Sequence, residues 1–218
     1  MLLKNEVILF PPENPLYPIL SLPSDDVESY VNAFDALVRA GVAIVQLRAK
    51  GLRPGDLEQL AGRLVKRARA ARIRLILNDE VELAARIRAD GVHVGQKDAS
   101  VKTVRGLGIP LVGVSTHSVE EARNAQSQGA DYIGVGCLFP SPTEPHRKPL
   151  GLATLRRIRA QVHIPIVAVG GISHDNIWEC VQAGADAVSS ISAVFGGGDF
   201  ESNCRNLMAR IHAEVLNT

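Results

Sequence analysis

The sequence predicts an α/β fold of the (β/α)₈ TIM barrel class, built as a single domain, and three observations carry that prediction. Eight short runs rich in Val, Ile and Leu alternate with stretches of helical apolar spacing along 218 residues, a length that suits one large α/β domain. A small-residue joint recurs at Ala40-Gly41-Val42, Ala89-Asp90-Gly91-Val92, Gly129-Ala130-Asp131-Tyr132 and Gly184-Ala185-Asp186-Ala187. Each joint falls where a helix turns into an even-numbered strand, at a spacing of roughly 40 to 55 residues, about two βα units of a barrel. The runs are short and rich in Val and Ile, as parallel strands buried on both faces are. A doubly wound open sheet is the alternative, but no G-x-G-x-x-G follows the first strand to support it.

Each element follows from local pattern. Residues 1–15 read as an N-terminal extension, and the barrel as 16–218. Leu16 to Leu20 forms the first strand, with Pro18 an awkward member because it offers no N–H to a neighbour. Asp25 and Asp26 open a helix whose Val27, Val31, Phe34, Leu37 and Val38 share one stripe. Ala43 to Leu47 is the second strand. Asp56 begins a helix through Ala71 that turns Leu57, Leu60, Leu64 and Val65 inward. Its outward Lys66, Arg67 and Arg69, with Arg72 and Arg74 beyond, lack interleaved aromatics and read as a solvated face, not a nucleic-acid patch. Leu75 to Leu77 is the third strand, followed by a helix bearing Val81, Leu83, Ala84 and Ile87, and Val92 to Val94 is the fourth. A short helix near Val101 to Arg105 precedes strand five, Leu111 to Ser115. Val119 to Gln128 is helical, with Glu120 and Glu121 in its first turn. Tyr132 to Val135 is strand six, and Gly136 to Gly151 is the longest irregular stretch. Leu152 to Arg159 is helical, Ile166 to Val169 is strand seven, Asn176 to Ala183 is helical and Ala187 to Ser190 is strand eight. Phe200 to Val215 closes the chain as a helix.

Composition bounds the partners. Hydrophobic residues at 46% supply a substantial core, and a net charge of +1 gives no general attraction to nucleic acid or to an anionic membrane, so any anion site must be local. No apolar run approaches the roughly 20 residues that span a bilayer. The N-terminal stretch, broken by Lys4 and Glu6, does not read as a signal peptide. Cys137, Cys180 and Cys204 are odd in number and widely spaced, against a disulfide framework or a zinc site, so a cytoplasmic protein with reduced thiols is expected.

The strand ends define the expected site. Strands three and four finish on the same edge and leave Asn78-Asp79 and Gln96-Lys97-Asp98 there. Asp79 alone would read as the cap of the next helix. Paired with Asp98 it suits a hard dication that keeps several waters, such as Mg²⁺. Gln46, Arg48 and Lys50 alternate, so in an extended segment they point one way, and two cations so placed call for an anion between them. Gly170-Gly171 after strand seven, with the loop before Ala193, offers backbone N–H groups to a phosphate. Strand five leaves Ser115 and His117; strand six leads to Ser141 and Thr143; strand eight to Ser190, Ile191 and Ser192. His117 receives no role, and Cys137 reads as a small buried filler with no base beside it.

The segments QLRAK, LND, DGVHVGQKD, GVSTHS, GADYIGVG, LFPSPT, AVGGIS and GADAVSSISAVF occur in that order between Leu16 and Phe195. Together they resemble the thiamine-phosphate synthase family, whose barrel is shared by the related thiazole tautomerases. The resemblance implies a transferase that joins hydroxymethylpyrimidine diphosphate to a thiazole phosphate and releases pyrophosphate. It further implies that Asp79 and Asp98 bind Mg²⁺, that Arg48, Lys50 and Asn78 hold the pyrophosphate with Ser115 and Thr143, and that Gln46 meets the pyrimidine. Arg48, Lys50, Ser115 and Thr143 then carry the catalytic work, Ser141 keeps a substrate-binding hydroxyl, and Gly171, Ile191 and Ser192 hold the thiazole phosphate. The implied partners are those two small molecules, neither nucleic acid nor membrane, with a homo-oligomer allowed.

Two places depart from the family pattern. Ser141-Pro142-Thr143-Glu144 stands where the family typically reads Thr-x-Thr-Lys, so an anion replaces a cation, and Arg147 or Lys148 is expected to compensate. Leu20-Ser21 stands where the family often has Thr-Asp. The competing functions are a tautomerase, which commonly carries His where Cys137 stands, and a non-catalytic binder of thiamine precursors.

Overall fold

In the computed structural model, which describes residues 9–141 and 146–215 (side chains of 214 and 215 excepted), one sheet holds eight parallel strands in chain order. The strands are β1 (Ile19–Leu20), β2 (Ile44–Leu47), β3 (Arg74–Asn78), β4 (Gly91–Val94), β5 (Leu111–Thr116), β6 (Tyr132–Val135), β7 (Ile166–Val169) and β8 (Ala187–Ser189). The helices between them are α1 (Val27–Ala40), α2 (Pro54–Ala71), α3 (Val81–Ile87), α4 (Val101–Gly106), α5 (Val119–Ser127), α6 (Gly151–Arg159) and α7 (Ile177–Gln182). After β8 come a short α8 (Ile191–Phe195), inside a stretch expected as loop, and α9 (Phe200–Val215). None of the described helices is long and apolar enough to cross a membrane.

The barrel seam differs from expectation. The first strand is Ile19–Leu20 alone, and Leu16 forms a separate parallel bridge to Val188. Pro18 explains the break, since it cannot donate to a ladder; its carbonyl still accepts from the Gln46 N–H at 2.9 Å. Two backbone bonds join the edges there, Tyr17 N–H to Val188 O and Val188 N–H to Pro15 O, both 2.8 Å.

Strand alternation divides the apolar residues into two cores. Val45, Leu47, Leu75, Leu77, Val92, Val112, Ile133 and Ile166 face outward and pack beneath the helices. Ile44, Ile76, Tyr132, Val167 and Ala187 face inward, where Tyr17, Leu9 and Phe10 join them. Residues 9 and 10, assigned by sequence to the extension, thus pack inside the barrel.

The recurring joints have a cause beyond small size. Asp90 Oδ2 accepts from the Leu75 N–H at 2.8 Å, Asp131 Oδ2 from Val112 at 2.6 Å and Asp186 Oδ2 from Ile166 at 2.8 Å. Each aspartate therefore satisfies the first free donor of the preceding strand. Arg105 and Arg159 pair with Asp131 and Asp186 at 2.6 and 2.9 Å. On α2, part of the basic face is committed to neighbours: Arg67 pairs with Asp35 of α1 at 3.2 Å, and Arg63 pairs with Glu28.

Candidate active site

A cavity of about 610 Å³ opens at the C-terminal ends of the strands. Eleven expected residues line it: Gln46, Arg48, Lys50, Asn78, Asp79, Asp98, Ser115, Ser141, Gly171, Ile191 and Ser192. Thr143, the twelfth, lies outside the described residues, as does Glu144.

At the acidic end, Asp79 does not cap α3; Glu80 occupies that position, and no side chain bonds the helix start. Asp79 instead takes φ 64, a left-handed conformation uncommon for a side-chain-bearing residue and tolerated best by Asp and Asn. Its carboxylate faces Lys50, whose Nζ stands 3.9 Å away. Partial burial, and then the neighbouring Asp98 charge, raise the Asp79 carboxyl above the ordinary range, against the opposing pull of Lys50 and Asn78. Asp98 is anchored by the Gly95 N–H, which donates to Oδ2 at 2.7 Å. Two carboxylates crowded together in this way are relieved by a shared proton or by positive charge beyond that of Lys50. Among the described residues no third His, Cys, Asp or Glu joins the pair.

The inner wall is a chain of neutral polar groups. Gln46 Nε2 lies 3.0 Å from the Tyr17 hydroxyl, which lies 2.6 Å from that of Tyr132. The Tyr132 hydroxyl is 3.2 Å from His93 Nδ1, and His93 Nε2 is 2.9 Å from Ser115 Oγ. Burial pulls the His93 pKa down to about 4, so the imidazole is neutral near pH 7, and burial raises both tyrosine phenols. Sequence reasoning missed Tyr17, His93 and Tyr132 as part of this wall. The available signal was alternation: in Val92-His93-Val94 the outer residues belong to the helix-facing core, which turns His93 inward. Ser189 is also buried at the cavity, and its hydroxyl has no hydrogen-bond partner among the described residues.

At the opposite end, Gly170 and Gly171 take φ 93 and 68. A Cβ at Gly170 would stand 2.4 Å from Cys137 Sγ, and one at Gly171 would stand 2.4 Å from Pro140 O. Both conformation and space require glycine there. Leu138 and Phe139 donate backbone bonds to Val169 O and Gly170 O, and Leu150 returns one to Cys137 O. Both ends of the long loop after β6 are therefore fastened beside this wall. Ser190 caps α8 by accepting from Ala193 N–H at 3.2 Å. At the rim, His117 bonds Glu121 through Nδ1 at 2.9 Å and Arg147 through Nε2 at 2.6 Å. Arg147 lines the cavity, whereas Lys148 does not.

Comparison with known proteins gives the family and the fold. The family described as thiamine monophosphate synthase matches residues 16–194. A thiamine-phosphate synthase of Chloroflexus aurantiacus is 41% identical over 185 residues, covering 84% of this chain and 86% of that one. That of Methylococcus capsulatus is 38% identical over 216 residues, covering 97% and 95%. A solved thiamine phosphate pyrophosphorylase from Pyrococcus furiosus superposes with a TM-score of 0.81 at 29% identity, covering 92% of this chain and 96% of that one.

Proposed function

The chain belongs to the thiamine monophosphate synthase family and acts as a thiamine-phosphate synthase in thiamine biosynthesis, and from that premise we propose how its cavity performs the transfer. The substrates are hydroxymethylpyrimidine diphosphate and hydroxyethylthiazole phosphate, and the products are thiamine phosphate and pyrophosphate. The observation that carries this reading is the convergence of eleven expected residues, from seven successive strand ends, on one cavity.

Reaction begins with departure of pyrophosphate from the pyrimidine methylene carbon. The methylene cation left behind is stabilised by the aminopyrimidine ring, so no protein nucleophile is required. The barrier falls as the charge developing on the leaving group is neutralised. Arg48, Lys50 and Asn78 hold the diphosphate, Ser115 adds a hydroxyl, and Gln46 orients the pyrimidine. Gly171, Ile191 and Ser192 hold the thiazole phosphate, which presents the thiazole nitrogen to the methylene carbon. Carbon–nitrogen bond formation then completes the transfer.

Asp79 and Asp98 fit Mg²⁺, a cation that commonly takes one or two carboxylates, several waters and substrate phosphate oxygens. The support is the raised Asp79 carboxyl, which partial burial and then the neighbouring Asp98 charge push up. When bound there, the ion would supply positive charge to the departing diphosphate. A tautomerase needs one phosphate site and no metal, and has no use for paired carboxylates beside Arg48 and Lys50.

The test is incubation with both substrates, with Mg²⁺ or with chelator, followed by detection of thiamine phosphate. Product with Mg²⁺ and none with chelator is expected. Calorimetry of Mg²⁺ with pyrophosphate should show binding to the native protein and its loss in Asp79→Ala and Asp98→Ala. Undiminished binding in both variants would remove these two residues from the metal site.

A further inference from the structure

Five side chains cross the inside of the barrel as one hydrogen-bonded line. Gln46 of β2 meets Tyr17, Tyr17 meets Tyr132 of β6, Tyr132 meets His93 of β4, and His93 meets Ser115 of β5, at 3.0, 2.6, 3.2 and 2.9 Å. The two ends, Gln46 and Ser115, are substrate-contacting positions in the reading above. The three middle members are 8% exposed or less. Space for the line is reserved by Gly113, where a Cβ would stand 2.1 Å from Tyr132 Cζ and 2.6 Å from His93 Nδ1.

The donors and acceptors can be counted along this line. The Gln46 amide nitrogen only donates, so the Tyr17 oxygen accepts and its proton goes to Tyr132. The Tyr132 oxygen is then an acceptor and directs its own proton to His93 Nδ1. A neutral His93 that accepts at Nδ1 carries its proton on Nε2 and donates to Ser115 Oγ. Ser115, already accepting, has its hydroxyl proton left for the cavity. The opposite polarity would commit the Ser115 proton to His93 and turn a bare lone pair toward the cavity. A diphosphate accepts hydrogen bonds and cannot donate them when fully ionised, so only the first polarity suits it.

We propose that Tyr17, Tyr132 and His93 are positioning residues that fix His93 as the Nε2–H tautomer and thereby aim the Ser115 hydroxyl as a donor at the diphosphate. The proposal rests on the synthase reading for the identity of the ligand. It assigns a transferase role to three buried groups that make no proton transfer of their own. The line also fixes the Gln46 amide, leaving its carbonyl and second N–H for the pyrimidine edge.

The decisive measurement is ¹⁵N NMR of the full chain labelled at histidine, with His93 assigned by His93→Gln. Protonated Nε2 and bare Nδ1 are expected near pH 7; the reverse pattern overturns the proposal whatever the activity. Steady-state kinetics of Tyr132→Phe supplies the second arm. A fall in kcat of roughly tenfold is expected, the loss of one hydrogen bond to a charged group, with KM for the thiazole phosphate unchanged. In a Ser115→Ala background the same substitution should change kcat by less than about twofold, since the two residues act as one unit. Equal losses in both backgrounds would overturn the route through Ser115. Absence of thiamine phosphate from the wild-type protein would instead reject the synthase reading, and the tautomer measurement would still decide the polarity.

Discussion

Arg147 meets His117 at the cavity rim, and an arginine can only donate, so His117 Nε2 accepts and its Nδ1–H donates to Glu121. Glu121 also receives the His117 backbone N–H at 2.7 Å, which holds the imidazole from two sides. The guanidinium so placed lines the cavity, where the expected compensation for Glu144 would have to act, whereas Lys148 stands outside the lining. Arg147→Ala is expected to raise KM for the pyrimidine diphosphate by roughly tenfold, the range of one charge-assisted bond, with Lys148→Ala near wild type. Equal effects of the two substitutions in steady-state assays would deny Arg147 this role. Glu144→Lys is expected to raise kcat/KM, since reversing a charge near a dianion changes the interaction by about 1 kcal/mol or more in a partly dry site. An unchanged or lower value would mean that Glu144 does not oppose the leaving group. A different residue-scale prediction concerns the thiols. Burial pushes Cys180 and Cys204 up to about 12. Their folded pKa values lie above the unfolded value, so deprotonation favours the unfolded chain only as pH rises from the unfolded value toward 12. At pH 8 a thiol reagent followed by peptide mapping should leave both unmodified in the native protein and label both in denaturant.

At the scale of elements, the repeated joint shows what a linear pattern carries and what it hides. Glycine and alanine at helix ends were readable as tight-turn residues, and Gly41 does end α1 at φ 85. The aspartate in three of the four joints was legible only as part of the repeat, because its partner is a backbone N–H from 15 to 20 residues earlier. Asp131 shows the cost of removing it. Its Oδ2 serves the Val112 N–H and the Arg105 guanidinium together. Asp131→Ala is therefore expected to cost about 1–3 kcal/mol in urea unfolding while leaving the cavity and its kinetics intact. A loss under about 0.5 kcal/mol, ordinary for a surface substitution, would contradict this account. The cavity residues were far more legible. Strand ends collect on one edge by topology alone, so Asp79, Asp98, Arg48 and Lys50 could be brought together without coordinates. His93 and the two tyrosines were not, since each sits within an apolar run where a polar side chain reads as a packing residue. Their contacts also link positions 39 and 115 residues apart.

The whole molecule depends on filling the inside of the barrel below the cavity, and that filling draws on chain outside the regular elements. Phe10 precedes the first strand, yet it is 6% exposed and meets Tyr17 and Tyr132 edge-on, with ring centroids 5.7 and 5.6 Å away. The two tyrosines meet each other at 5.7 Å in the same manner, so three rings close the floor of the barrel. No periodicity marks Phe10 in sequence, because a residue in a Pro-flanked segment belongs to neither a helical stripe nor a strand alternation. Its removal should act at two levels. Phe10→Ala opens a void under both tyrosines, and large-to-small changes of this kind cost about 3–5 kcal/mol where the surroundings cannot collapse. The tyrosines pack above that void and carry the hydrogen-bonded line to Ser115, so loosening them should lower kcat under conditions where the variant is still folded. Phe10→Leu refills much of the space and should recover most of the stability. Urea unfolding of both variants, with kinetics at a temperature well below each transition, distinguishes the levels. A Phe10→Ala protein as stable as wild type would show that the floor is sealed without the ring. A destabilised variant with unchanged kcat would confine Phe10 to the fold and leave the polar line independent of its packing.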